Sequence, residues 1–409
     1  MAELLVRASW GDHKVVSDLL AGASAVRLVG AHTIPIDRLV ADAHVAEAKP
    51  VLAELARSAG IPYVVDPITP HVQSGVTPED RWGRLPFGRT APTSPDDLDL
   101  EALIENVVDF QLDKGATVVI PPYFYASSPD DPWFAISLRA IVETQRYMER
   151  NTIKLSLLPI FCGRLQTFGN SAVWGQGVDQ FVRWSENSGA ISAAILLSPA
   201  GETGDHYGKV RRLFDTALRA QASGLQVIAW RQGVYGPGLV AAGLSGYECG
   251  MGSGEKSDVA RQMARRRKPR DSNRKPQGGP APGVFLETLG RSVVARVADA
   301  LFGNTPMRAR IICDQETCCA IPADTLNHPR HHAVRSRSRL LAKLASMSSP
   351  EFRVSQIARE AAGAKTIAIQ ANGVLSGSGL RDHIDVHYLE AIEHVCRDIA
   401  SSIGRPRSA

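Results

Sequence analysis

Short apolar runs alternate with amphipathic stretches along most of this chain. The clearest run, 61–65, is rich in β-branched residues and stops abruptly at Asp66. Comparable runs occupy 24–30, 117–120, 154–161, 191–197, 225–230, 246–250 and 308–313. Between them, 45–59, 98–114, 132–149, 176–187, 207–223 and 285–301 carry helical spacing, and Gly60 and Gly115 follow two of these stretches as helix stops. A short helix is expected at 238–242 and a terminal one near 384–403. Strands that are apolar throughout belong to parallel sheets buried on both faces. A count near eight, each strand followed by a helix, predicts an α/β fold of the (β/α)8, TIM-like class. The expected layout is a barrel over 1–330, with a basic, flexible insertion at 256–283 after the seventh strand. A helical C-terminal extension, 331–409, would pack on it.

Composition changes this picture little. The 409 residues are 44% hydrophobic and 22% charged, ordinary for a soluble globular protein. There is no apolar run of about 18 residues, so no membrane span is predicted. The N-terminus lacks the pattern of a secretory leader, which makes a cytoplasmic location the expectation. Six cysteines (162, 249, 313, 318, 319 and 396) in so long a chain point to thiols or a metal rather than a disulfide framework. The net charge is only +4, but cations crowd into 256–275 and 330–343. Arg265, Arg266, Arg267 and Lys268 form the densest run, a candidate contact for a nucleic-acid backbone. No aromatic residue interleaves with them, so the sequence indicates no platform on which single-stranded bases would stack.

In a barrel, ligand groups come from the C-terminal ends of the strands. Those ends read His32, Asp66, Tyr123, Arg164, Gln166, Glu202, Arg231, Glu248 and Cys313. Asp66 and Glu248 are the candidate catalytic carboxylates. Each could serve as base, nucleophile or anchor, as burial and neighbours dictate. The plain alternative for Asp66 is that Asp before Pro starts a turn. Tyr123, Gln166, Glu202 and Arg231 are candidate substrate contacts, with Arg231 offering a bidentate fork to an anion. The glycine-rich stretch that includes Gly243, Gly246 and Gly250 would let the backbone come close to a ligand. Cys313, with Cys318 and Cys319 or only one of that doublet, and one of His328, His331 and His332 supply a thiolate and imidazole set of the kind that holds zinc.

A barrel, the Gly243-Leu-Ser-Gly246 segment and a late Cys/His cluster beside basic residues together resemble the tRNA-guanine transglycosylase superfamily. That resemblance implies a zinc-containing barrel that exchanges a base in nucleic acid through a carboxylate nucleophile. It also implies that the 243–246 segment contacts the base, that Cys313, Cys318, Cys319 and His332 (or His328) bind zinc, and that Asp66 is the acid/base aspartate. The chain departs from the family in two places. Its cysteines are not spaced C-x-C-x2-C, and no aspartate precedes a Pro-Thr-Arg segment, so Glu248 or Asp258 stands where the nucleophile is sought. Two other functions fit the same residues. One is a non-catalytic barrel that binds nucleic acid, and the other is a lyase or hydrolase acting on a small molecule at the barrel mouth.

Overall fold

A computed structural model describes residues 2–21, 35–168, 174–201, 204–252, 255–268, 283–316, 318–319, 321 and 323–403. Among the described residues nine strands form one sheet: β1 (Glu3–Ala8), β2 (Arg38–Asp42), β3 (Tyr63–Asp66), β4 (Val118–Val119), β5 (Ser156–Leu157), β6 (Ile160–Arg164), β7 (Ser192–Ser198), β8 (Gln226–Ala229) and β9 (Gly246–Gly250). Their order is β5-β4-β3-β2-β1-β9-β8-β7-β6, and every pairing is parallel.

The two edge strands, β5 and β6, are consecutive pieces of one extended segment. The Leu158 amide donates to Val119 O on one side (2.9 Å), and the next carbonyl, Pro159 O, accepts from the Ala194 amide on the other (2.8 Å). Proline has no amide to offer, which suits it to the point where pairing changes sides. The sheet therefore curls until its edges meet, giving eight strand positions.

Side chains confirm the closure. Leu5, Val40, Val64, Val118, Leu158, Ala194 and Ile228, contributed by seven different strand positions, touch in one buried cluster. Alternate residues such as Leu4, Leu39, Val65, Phe161, Ile195 and Val227 face outward beneath the helices. Both faces are thus apolar, as the unbroken hydrophobic runs required.

Helices Leu100–Asp113, Pro132–Arg150, Trp174–Asn187 and Tyr207–Gln221 fall where the helical spacing placed them. Four readings change. The 45–59 stretch is not one helix but two, Ala43–Ala48 and Val51–Ser58, parted at Lys49 and Pro50. The 308–313 run is no strand, because Thr305–Ile311 is a helix whose Asn304 side chain caps the Met307 amide at 3.0 Å. The 285–301 stretch is not one helix. It opens with the hairpin β10 (Val284–Leu286) and β11 (Arg291–Val293), reversed through Gly290 at φ 63°, and becomes helical only at Ala295–Gly303. Finally, β9 is the eighth strand position rather than the seventh, because β1 and β2 fill the first two; the expected strand at 24–30 lies outside the described residues.

Of the basic 256–283 segment, Val259–Arg266 is a helix capped by Asp258, while 269–282 lie outside the described residues. Helices Pro329–Ala345, Pro350–Gly377 and His387–Ile403 complete the chain. Arg337 ties the first of them to the barrel through a buried ion pair with Glu255 and a bond to Gly250 O. No helix among the described residues is long and apolar enough to cross a membrane.

Candidate active site at the barrel mouth

Strand alternation decides what faces the mouth. Leu5, Val40, Val64 and Ile228 point into the barrel, so Arg7, Asp42, Asp66 and Trp230, two residues further on, do as well. Glu248, in the middle of β9, joins them. Arg7 is the hub. Its Nε and Nη2 grip Glu248 (2.9 and 3.2 Å), its Nη1 donates to Asp42, and its Nη2 lies 3.0 Å from Asp66 Oδ2. Arg231 Nη2 bridges Asp42 (2.9 Å) and Asp66 (3.2 Å), while its backbone amide donates to Glu248 (2.8 Å). The Tyr123 hydroxyl (2.7 Å) and Trp230 Nε1 (3.2 Å) also donate to Asp66, as does the Ile68 amide (3.0 Å).

Three carboxylates thus share two guanidinium groups, which leaves one negative charge in excess. Burial alone would raise the pKa of Asp66, but Arg7 and Arg231 outweigh it and hold the carboxyl below its usual range. Asp42 is depressed in the same way, by Arg231 and then Arg7. Burial also opposes charge on Arg7, and there Glu248, Asp42 and Asp66 prevail and raise its pKa. Asp42 and Asp66 are therefore anions at neutral pH. They can act as nucleophile, base or electrostatic anchor, but not as proton donors. Asp66 accepts from five donors and is fully buried. Asp42 has no partner for its second oxygen among the described residues, and its side chain is 18% exposed.

The backbone here is unusual. Ile68 (φ 48°) and Arg231 (φ 55°) both sit in the left-handed region, costly for any residue with a Cβ and most so for a β-branched one. Both directly follow strands that feed the mouth, and strain of this kind concentrates at functional sites.

The mouth is covered. In the helix Val259–Arg266, Val259 enters the interior cluster and Met263 packs against it. The Val259 amide donates to Ser198 Oγ (2.8 Å), Arg266 O accepts from the Thr77 amide (3.0 Å), and Arg266 Nη1 holds both oxygens of Asp80 (3.0 and 2.9 Å). Beneath it remains a cavity of about 10 Å³, bounded by residues that include His71, Tyr123, Arg231 and Gln262. His71 is buried, its Nδ1 has no partner among the described residues, and its ring meets Trp82 edge-on at 5.1 Å. Burial pushes its pKa well below the ordinary histidine range, and Arg266 and Arg231 push the same way, so the imidazole is neutral.

Of the residues read from the sequence, the structure brings Asp66, Glu248, Arg231 and Tyr123 together. Gln166 and Arg164 are exposed and take no part in the network. Gly243 and Gly246 lie at the other end of β9. Gly243 closes the helix Gly236–Ala242 at φ 130°, and Gly246 lets β9 approach β1, since a Cβ there would stand 2.7 Å from Glu3 O. Gly250 is at the mouth end, but its carbonyl is taken by Arg337. Glu202 and His32 lie outside the described residues. Sequence reasoning missed Arg7, Asp42, Trp230 and His71. The signal for Arg7 and Asp42 was an apolar triplet followed at once by a charged residue, Leu4-Leu5-Val6 before Arg7 and Leu39-Val40-Ala41 before Asp42.

A second constellation lies away from the mouth. Cys313, Cys318, Cys319 and His332 are all buried, with one potential ligand atom each, all within 4.8 Å of one another. Cys318 and Cys319 sulfurs are 3.9 Å apart and stand 3.3 and 3.4 Å from His332 Nδ1. Metal–sulfur bonds of about 2.3 Å in a tetrahedron put sulfurs about 3.8 Å apart, so this set fits a closed four-ligand metal site. Both members of the cysteine doublet are in place. His328 stands outside the set, and His331 pairs with Asp18 instead (3.2 Å).

The cations divide into two groups. In the 330–343 stretch, Arg337 pairs with Glu255, Arg339 with Glu287, Arg330 with Asp12 and Lys343 with Glu360. In the other segment, Arg266 is latched to Asp80, while Arg265, Arg267 and Lys268 are exposed.

No known family and no curated protein matches this chain. Among solved structures, it is similar to a putative phosphonomutase from Burkholderia cenocepacia (17% identity, TM-score 0.33, covering 60% of this chain and 85% of that one). It is also similar to the deoxyribose phosphate aldolase of Aeropyrum pernix (14%, 0.35, 64% and 87%). A third is a putative fructose-1,6-biphosphate aldolase from Coccidioides immitis (10%, 0.35, 86% and 92%). The barrel architecture rests on the strand order and interior packing of this chain itself.

Proposed function

We propose that the mouth is the active site of a barrel enzyme that exchanges a nucleobase at its bond to sugar, as the transglycosylase resemblance implies. The observation that carries this is the buried cluster of Asp42, Asp66 and Glu248 clamped by Arg7 and Arg231 at the strand ends. Among the described residues Glu248 Oε1 accepts a single hydrogen bond and keeps a lone pair, so Glu248 is the nucleophile in this scheme. Its oxygen bonds to the anomeric carbon as the old base leaves with the electron pair of the glycosidic bond. The incoming base then displaces the carboxylate. Asp66, ionised and rigidly held, stabilises positive charge that develops on the sugar. Neutral His71, with Nδ1 free, accepts a proton from the incoming base. The uncompensated negative charge suits a neutral heterocycle that presents N–H groups. The helix Val259–Arg266 must swing away before any such substrate enters.

The test is incorporation of radiolabelled guanine into nucleic acid by wild type and Asp66→Asn, with folding checked by a thermal melt. Loss of about 10²–10⁴-fold in a folded variant is expected; full activity in Asp66→Asn removes the proposal.

One observation favours a second function. The mouth is covered and Asp66 is saturated with donors, which also describes a catalytically silent barrel stapled by an ion network. Such a barrel would bind nucleic acid through Arg265, Arg267 and Lys268. Normal nucleic-acid binding with no exchange under any condition would select it.

We also propose zinc at Cys313, Cys318, Cys319 and His332. Four protein ligands close the coordination sphere, which assigns the ion to stability rather than to chemistry.

A further inference from the structure

The mouth end carries a feature that the residue order conceals. Trp10 follows β1 directly and is 41% exposed, although large aromatic side chains are usually covered. The Arg81 guanidinium carbon lies 3.8 Å from the indole centroid, and Lys49 Nζ lies 4.9 Å from it. Neither Arg81 nor Lys49 has an acidic partner among the described residues, unlike the cations of 330–343. Asp80, next to Arg81, is the residue that latches Arg266 of the capping helix. The outward Arg265, Arg267 and Lys268 of that segment are therefore adjacent, so an aromatic ring and five free cations share one rim.

We propose that this rim binds single-stranded nucleic acid, with one base stacked against Trp10 and the backbone phosphates along Lys49, Arg81 and the capping helix. The assignment rests on the mouth being a nucleobase site, which it supplies with a strand. Every base has a π-face, so an exposed indole accepts any base that is not already stacked. Arg81 covers one position over the ring; being exposed and unpaired, it can turn to a phosphate and yield that position. In a duplex the base faces are hidden and Trp10 has nothing to stack on, although the cations would still attract phosphates. Cations alone would not distinguish the two forms; the ring does.

The experiment is fluorescence anisotropy of the full chain with a labelled 20-nucleotide single strand and with its duplex, over a series of salt concentrations. The single strand should bind at least about ten-fold tighter than the duplex. Trp10→Ala should weaken single-strand binding by about ten-fold, within the range for loss of one stacked base, and leave the salt slope unchanged. Trp10→Phe should retain most of the affinity, which separates stacking from a folding defect. Lys49→Ala with Arg81→Ala should reduce the salt slope by about two. Equal binding of single strand and duplex, or a Trp10→Ala variant that binds like wild type, would overturn the proposal. Wild-type binding by Trp10→Ala alongside lost exchange in Asp66→Asn removes only the rim. Trp10-dependent binding with no exchange in wild type removes only the catalytic mouth.

Discussion

At the scale of single residues, the mouth is a problem of buried charge. Asp66 is wholly enclosed and takes two guanidinium groups, two aromatic side-chain donors and a backbone amide. Asp66→Asn keeps the shape and removes the charge that Arg7 and Arg231 both face. A loss of about 3–5 kcal/mol in urea unfolding is expected, because breaking one side of a buried pair strands the other. His71 gives a pH signature. Its folded pKa lies below its unfolded value near 6.5, so below that pH the unfolded chain binds more protons than the folded one. Stability should therefore fall as pH drops from about 6.5, by up to about 1.4 kcal/mol per pH unit. His71→Gln should flatten that slope, and an unchanged slope would show that His71 does not titrate on unfolding. Asp42 and Asp66 have depressed pKa values, so their contribution is present above about pH 4 and is lost as pH falls further.

At the scale of elements, two devices stand out. The first is the helix Val259–Arg266, held over the mouth by the Arg266–Asp80 pair, the Val259 amide bond to Ser198 Oγ and the Thr77 amide bond to Arg266 O. The pair is partly exposed, so Asp80→Ala should cost under about 1 kcal/mol of global stability. Amide exchange in 259–266 should nevertheless quicken, and exchange as slow as in wild type would mean the pair is no latch. The second is the Cys/His set, which joins the 313–319 loop to the helix Pro329–Ala345. About one zinc per purified chain is expected by elemental analysis. Chelation should lower the melting temperature, and Cys318→Ser should abolish metal retention. Metal-free protein with an unchanged melt would contradict this.

The elements also show why the sequence was only partly legible. Asp66, Arg231 and Glu248 could be found because long apolar runs lead up to them. β1 and β2 have only three consecutive apolar residues each, and β2 passes directly into the helix Ala43–Ala48, so Asp42 alone marks its end and no loop follows it. With those strands went Arg7, the hub of the network. The 308–313 run was misread because Asn304 and Pro306, a helix cap and first-turn proline, were not weighed against it. His71 carries no local signal; only tertiary packing brings it to the cavity beneath the helix Val259–Arg266. The Cys/His set that could hold a metal was legible because three of its members fall within seven residues.

For the molecule as a whole, closure of the sheet is what turns scattered residues into one site. Arg7 and Glu248 are 241 positions apart in sequence and 2.9 Å apart in space, since β9 pairs with β1. The same closure sets Trp10, Lys49 and Arg81 around the rim. The central claim is that this mouth performs chemistry rather than merely stapling the barrel shut. It is tested most directly by the rate of guanine incorporation into a single-stranded nucleic acid by wild type and by Glu248→Gln at equal folded fraction. Measurable exchange is expected in wild type and none in Glu248→Gln; equal rates in the two proteins would show that the mouth is not the site of the chemistry.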